Sequence, residues 1–202
     1  MAITINGTGS ITGLTAGGLP DGSVDASDLA SSLDLTGKTV TLPSGTGGKI
    51  LQIQHTIKTA RQNLTGTTAK QDITDMSVTI TPASNSSKII VLFNLMAATA
   101  SQYYTTHLIR GSTEIFLGDA ENSNTRGVFG SSSASSYTAH SVSGAYVDTS
   151  HNSGGSPVTY KMQVSTPYSS SYLVTINSPG GYSNTNSYAS RGSSSMILME
   201  VA

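Results

Sequence analysis

The stretch KIIVLFNLMA, residues 88–97, decides how this chain folds. Aliphatic and aromatic side chains occupy both alternate sets of positions, broken only by Asn94, over a length far short of the ~20 residues a membrane helix needs. It reads as a central strand, apolar on both faces. Just before it, Met76, Val78 and Ile80 alternate with Ser77 and Thr79, the period-two signature of a half-buried strand, and Pro82 ends the run. Just after it, residues 105–110 and 113–117 flank Gly111-Ser112, a pair suited to a two-residue hairpin turn with glycine supplying positive φ. Further runs at 49–57, 139–147, 158–165, 172–176 and 195–201 make about nine short strands, separated by Ser, Gly and Asn clusters with no helical period between them.

Composition supports this pattern. Of 202 residues only 10% are charged, 21 are glycine, and serine and threonine are abundant. Helix surfaces are normally built from Glu, Lys, Ala, Leu and Arg, whereas threonine and β-branched aliphatics suit strands. The predicted fold is all-β, an antiparallel β-sandwich of jelly-roll type spanning residues 49–202, because sandwiches accommodate many short strands and return loops of uneven length. The formal charge of -1 provides no basic field for nucleic acid, so none is expected as a partner. No apolar stretch is long enough for membrane insertion, and the opening MAITING has neither a basic region nor an apolar run, so no secretion signal is expected. Cysteine is absent, which excludes disulfides, thiolate metal sites and cysteine nucleophiles together.

Residues 1–48 form a different kind of segment. Glycines recur through it and large apolar side chains never alternate for long. Residues 2–5, 10–14 and 38–42 suit short strands, and one short helix is predicted between them, capped by Ser23 or Asp25. A helix that short is marginal alone in water. Its apolar residues, with those of the strands, therefore need an external surface: Ile3, Ile5, Ile11, Leu14, Leu19, Val24, Leu29 and Leu33 are the candidate oligomerisation and attachment residues, docking on identical copies or on a larger partner.

The longer loops, 119–136, 149–156, 167–171 and 178–194, concentrate Ser, Asn, Gly and Tyr, which supply adaptable hydrogen bonds and stacking faces at small entropic cost. Candidate ligand contacts are Tyr103, Tyr104, Asn122, Asn124, Tyr168, Tyr182, Asn184, Asn186 and Tyr188. Signs of catalysis are sparse. The four histidines are dispersed, no nucleophile elbow is present, and His107 beside an apolar run reads as a sheet residue. The segment SGTGGK at 44–49 lacks the first glycine and the metal-binding Ser/Thr of a phosphate loop and reads as a hinge. Asp119, Glu121 and Asn124 alternate oxygen groups that suit weak calcium binding but lack the EF-hand glycine and glutamate, and an ordinary acidic turn is the simpler reading. No enzyme activity, cofactor or metal is expected.

Taken together, ITINGTGSITGLTAGGLPDGSV (3–24) and DASDLASSLDLTGKTVTLPSGTGGKILQI (25–53) resemble the N-terminal segment of tail-fibre-like virion proteins of bacteriophages, notably aquatic and cyanobacterial ones. SSKIIVLFNL (86–95), LIRGSTEI (108–115), AYVDTSHNSGGSPVTYKMQV (145–164) and RGSSSMILMEVA (191–202) resemble the C-terminal β-domain found with it. The resemblance implies a homotrimer within the virion, assembled in the host bacterial cytoplasm. Its N-terminal part would anchor to other virion proteins of tail, baseplate or capsid, and its distal jelly roll would offer loops to a host surface polysaccharide. The chain departs from that pattern in having no long shaft, so a capsid cement or head-decoration protein clamping shell subunits is the alternative. A polysaccharide-cleaving enzyme is disfavoured by the scarcity of acid pairs.

Overall fold

The structure, a computed structural model, describes residues 4–5, 11–12, 50–99, 103–132, 138–167, 169–180 and 190–202. The chain divides into two compact units, Met1–Gly47 and Gly48–Ala202. In the first, β1 (Thr4–Ile5) and β2 (Ile11–Thr12) pair antiparallel, with Ile5 opposite Ile11. The predicted helix, the strand at 38–42, and Ile3, Leu14, Leu19, Val24, Leu29 and Leu33 lie outside the described residues.

The second unit is built from strands alone among its described residues: β3 (Ile50–Lys58), β4 (Gln62–Gly66), β5 (Gln71–Ile80), β6 (Lys88–Thr99), β7 (Tyr103–Arg110), β8 (Thr113–Ile115), β9 (Phe129–Ser132), β10 (His140–Asp148), β11 (Val158–Ser165), β12 (Ser170–Ile176) and β13 (Ser194–Val201). No helix among these residues is long and apolar enough to cross a membrane. One sheet runs β3-β13-β6-β12-β4 with β10 on the free side of β6, and the other runs β5-β11-β7-β8 with β9 also on β7. Every pairing is antiparallel.

The two sheets pack as a β-sandwich whose pairings nest like a folded ribbon. The outermost strands of the unit, β3 and β4, pair with the last, β13 and β12. Moving inward along the chain, β5 pairs with β11, β6 with β10, and β7 with β8 and β9. First with last, second with second-last and so on is the jelly-roll plan. The core lies between the sheets, where Ile89, Val91, Phe93, Leu95 and Ala97 of β6 meet Met76, Leu108, Tyr160, Met162, Met196 and Leu198. Gly144 of β10 makes room for it: a Cβ there would stand 2.5 Å from the Phe93 ring.

Three polar devices hold this arrangement. Asp148 at the end of β10 is fully buried and clasps the two sheets, accepting two 2.8 Å bonds from one Arg110 guanidinium nitrogen, a 2.8 Å bond from the Tyr160 hydroxyl and a 3.0 Å bond from the Ser150 amide. At the seam between β3/β4 and β5, side chains replace a backbone ladder: Gln52 donates to the Thr81 carbonyl, Thr56 to that of Asp75, and Gln62 both donates to the Asp72 carbonyl and accepts from the Thr74 amide. Such bonds satisfy edge groups that would otherwise invite another strand. Finally, β12 and β13 lie end to end along β6, and buried Asn177, at φ 61°, fills the break. Its amide side chain donates to the Lys58 carbonyl at 2.7 Å and accepts from the Ser194 hydroxyl at 2.6 Å, while its own carbonyl takes the Gly192 amide. Asn177 thus bridges the end of β12 to the start of β13 along β6.

The turn at Gly111-Ser112 joins Arg110 to Thr113 with Gly111 at φ 58°, as its sequence predicts. Two strands escape the sequence pattern. In β4 only Leu64 among the long side chains is buried, so no alternation of apolar residues marks it, and β9 lies in a segment read as loop. In β5 the chain is already a strand at Gln71, but between the partners of Gln163 and Lys161 it carries four residues, 73–76, where a regular ladder has one, with Thr74 and Asp75, the latter at φ 61°, both outward. That bulge resets the period, so alternation is visible only from Met76 onward.

Candidate functional site

The outer surface of the five-stranded sheet is polar because the inward set on each strand takes the apolar residues. On β5 and β11 the outward partners are Thr79 with Thr159, Ser77 with Lys161 and Asp72 with Gln163. The Asp75 bulge on one side and the Gly111 turn on the other, tied down by a 2.7 Å bond from the Gly111 amide to the Thr159 carbonyl, frame an open cleft of about 360 Å³. Asp72, Asp75, Ser77, Thr159 and Lys161 line it.

Its charges are prearranged. Asp72 accepts from the Lys161 ammonium at 2.8 and 3.0 Å and from the Gln163 amide at 2.6 Å. The Lys161 bond, with the Gln163 bond second, holds its carboxyl below the usual carboxylate range, so it stays ionised and fixed. The Thr79 and Thr159 hydroxyls share a 2.7 Å hydrogen bond and keep further valences free. Carboxylate, ammonium, amide and hydroxyl groups on one rigid face can exchange hydrogen bonds with a polyol. Among the described residues no aromatic ring lines the cleft, so the groups it offers are polar.

A second polar cluster lies on the same sheet. His107 Nδ1 is 2.5 Å from a Glu114 oxygen and Nε2 is 2.8 Å from the Ser165 hydroxyl, while Lys70 binds the other Glu114 oxygen. An ionised carboxylate only accepts, so Nδ1 carries the proton and Nε2 accepts from Ser165. Burial pushes the His107 pKa down against the opposing pull of Glu114, favouring the neutral ring. Serine, histidine and acid here stand in the order of a hydrolase triad. However, Ser165 is 3% exposed and His107 fully buried, which closes the hydroxyl to a substrate. The cluster ties β7, β8, β11 and the chain before β5 together, in keeping with the reading of His107 as a sheet residue.

The residues proposed from sequence fall elsewhere. Tyr103 is 63% exposed but sits at the far end of β7 from Arg110, four residues, or about 14 Å along the strand, from His107, which stands level with Asp72 of the cleft. Tyr104 requires a correction: it is 1% exposed, part of the core, and its hydroxyl donates to the Ala97 carbonyl at 3.4 Å. Adjacent strand residues point to opposite faces, so only one of this pair can meet a ligand. Asn122, at φ 46°, and Asn124, whose amide donates to the Glu121 carbonyl, are exposed in a turn. Tyr168, Tyr182, Asn184, Asn186 and Tyr188 lie outside the described residues. Among the described residues no three His, Asp or Glu side chains gather as metal ligands. Asp72 and Lys161 were missed because isolated polar residues on alternating strands read as ordinary solvent-facing positions; only the pairing of β5 with β11 brings them together.

No protein-family model matches the chain, and no curated protein matches it.

Proposed function

We propose that this chain is a noncatalytic structural protein of a bacteriophage particle, a short trimeric tail fibre or appendage that attaches through residues 1–48 and presents its sandwich to a host surface polysaccharide. The resemblance of its quoted segments to tail-fibre-like virion proteins motivates the class. The observation that carries the binding role is the rigid cleft in which the paired Asp72 and Lys161 stand among the Ser77 and Thr159 hydroxyls. Polar groups held by strands before a ligand arrives lose little freedom on binding. The exposed Asn122, Asn124 and Tyr103 are available for further contacts.

A glycan array and an adsorption-competition assay with the purified full chain test this role. Retention of at least one bacterial polysaccharide, and slower phage adsorption in the presence of the chain, are the expected results. Absence of both removes the receptor role. The second reading, a head-decoration protein, is favoured by the apolar outer surface of the other sheet, which suits a clamp on shell subunits. Stained-gel stoichiometry of purified particles separates the two: an appendage is present in few copies, a decoration protein in many.

A further inference from the structure

The outer surface of the six-stranded sheet has the opposite chemistry. The ladder registers set Ile53, Met199, Ile90 and Val147 in one row across β3, β13, β6 and β10. In the next row stand His55, Ile197, Leu92 and Ala145, and beside the first lie Ile50 and Val201. Ile50, Leu51, Ile53 and Ile57 of β3 are 48–60% exposed and Val147 is 49% exposed. At ordinary strand spacing and rise these rows on four strands span about 19 by 14 Å, roughly 260 Å², and the next row, Ile57 with Ser195, Asn94 and Ser143, is polar apart from Ile57. Contiguous apolar patches of this kind mark interaction surfaces.

From this face we infer that the sandwich is itself an oligomer interface, covered by the same face of sister copies around a threefold axis. The inference rests on the trimeric reading above and names the surface that reading leaves open. Three observations select a second copy as the occupant. Across these rows only His55 and Lys88 are ionisable, so they carry no charge pattern for a charged partner, and among the described residues they carry no aromatic ring for a sugar. An aliphatic surface is complementary to itself. In addition, β3 begins at Ile50, three residues beyond the end of the first compact unit at Gly47, a reach of about 10 Å in extended chain. A connection this short tethers each β3 closely to its own leading segment, so an association of those segments would hold the β3 strands of the copies within reach of one another. The footprint also fits a shared role, being about a third of the ~800 Å² per partner of a standard interface, so this face and the N-terminal segments have to act together. In a closed ring the β3 side of one copy meets the β10 side of the next.

The chain has no cysteine, which allows single reporters. Ile53→Cys on the face and Ser112→Cys on the exposed hairpin turn, each in the full chain, are labelled with a maleimide while sedimentation equilibrium reports the assembly. The expected result is a trimer in which Cys at 53 reacts several-fold more slowly than Cys at 112. Adding Val147→Lys and Ile197→Lys to the Ile53→Cys chain is expected to restore fast labelling, with an unchanged far-ultraviolet circular dichroism spectrum as the folding control. A trimer in which both cysteines react equally fast overturns this interface while leaving the trimeric reading standing. A monomer overturns both.

Discussion

The two outer surfaces of the sandwich are made by the same kind of strand pairing and end with opposite chemistry. On the six-stranded sheet the outward rows from Val201 to Ile197 are mainly aliphatic, with Ile53, Ile90, Leu92, Ile197 and Val147, and the directional contacts lie beyond them, where Asn94 donates to the Ser141 and Ser143 hydroxyls. On the five-stranded sheet the outward set is Asp72, Ser77, Thr159, Lys161 and Gln163, and nearly every polar group already has a partner. A polar face can sit in water and still offer hydrogen bonds. An aliphatic face of this extent gains by being covered. The alternation that makes both sheets amphipathic toward the core thus separates, on the outside, a surface suited to ligands from one suited to assembly.

The largest expected effect separates both outer faces from the interior. Asp148→Ala leaves the Arg110 guanidinium and the Tyr160 hydroxyl without their buried acceptor, and chemical denaturation should show a loss of about 3–5 kcal/mol. A loss below ~1 kcal/mol would mean that the clasp is dispensable. Next comes Glu114→Ala, which strands the buried His107 N–H; about 2 kcal/mol is expected to be lost, or roughly 4–8 °C in Tm by thermal melting.

A pH titration of stability sharpens the same point. Because burial lowers the His107 pKa on folding, the unfolded chain takes up a proton first as pH falls. Stability should therefore decline from about pH 6.5 downward until His107 also protonates in the folded state. His107→Gln should flatten that first decline. For Glu114, Asp148 and Glu200, burial pushes upward, and the bonds from Lys70 and His107, from Ser150, Tyr160 and Arg110, and from Ser87 and Gln52 outweigh it. All three carboxyls consequently titrate below their ordinary range. Their contribution is intact above pH ~4.5 and is lost in a second stage below it.

Lys161→Ala removes an exposed ion pair, so less than about 1 kcal/mol of stability should go. Saccharide retention should nevertheless drop, because the fixed position of Asp72 depends on that ammonium. Equal retention would separate the cleft from the receptor role. The smallest effect on unfolding is expected for Ile57→Ser, within about 0.5 kcal/mol when measured on dissociated protein, since this side chain is mostly exposed. A much larger loss would show that the apolar face serves the fold of the single chain rather than its assembly.

The fold was largely legible because its key strands carry their own signal. KIIVLFNLMA is central as expected, flanked by β10 on one side and by β13 and β12 on the other, and the hairpin at Gly111 has the predicted length. What escaped did so for physical reasons. The Asp75 bulge hides half of β5 from a period-two search, and β4 and β9 lack the apolar alternation that marks a strand. The candidate cleft was not legible, since Asp72 and Lys161 are far apart in sequence and meet only through pairing. Tyr104 was assigned to a ligand surface because composition alone cannot tell the inward member of a Tyr-Tyr pair from the outward one.

The apolar face, the glycine-rich leading segment and the trimeric reading converge on one quantity, the mass of the full chain in dilute solution. Sedimentation equilibrium at micromolar concentration is expected to report three times the 20.7 kDa of one chain. A single stable species at the mass of one chain, folded and unchanged with concentration, would contradict the account.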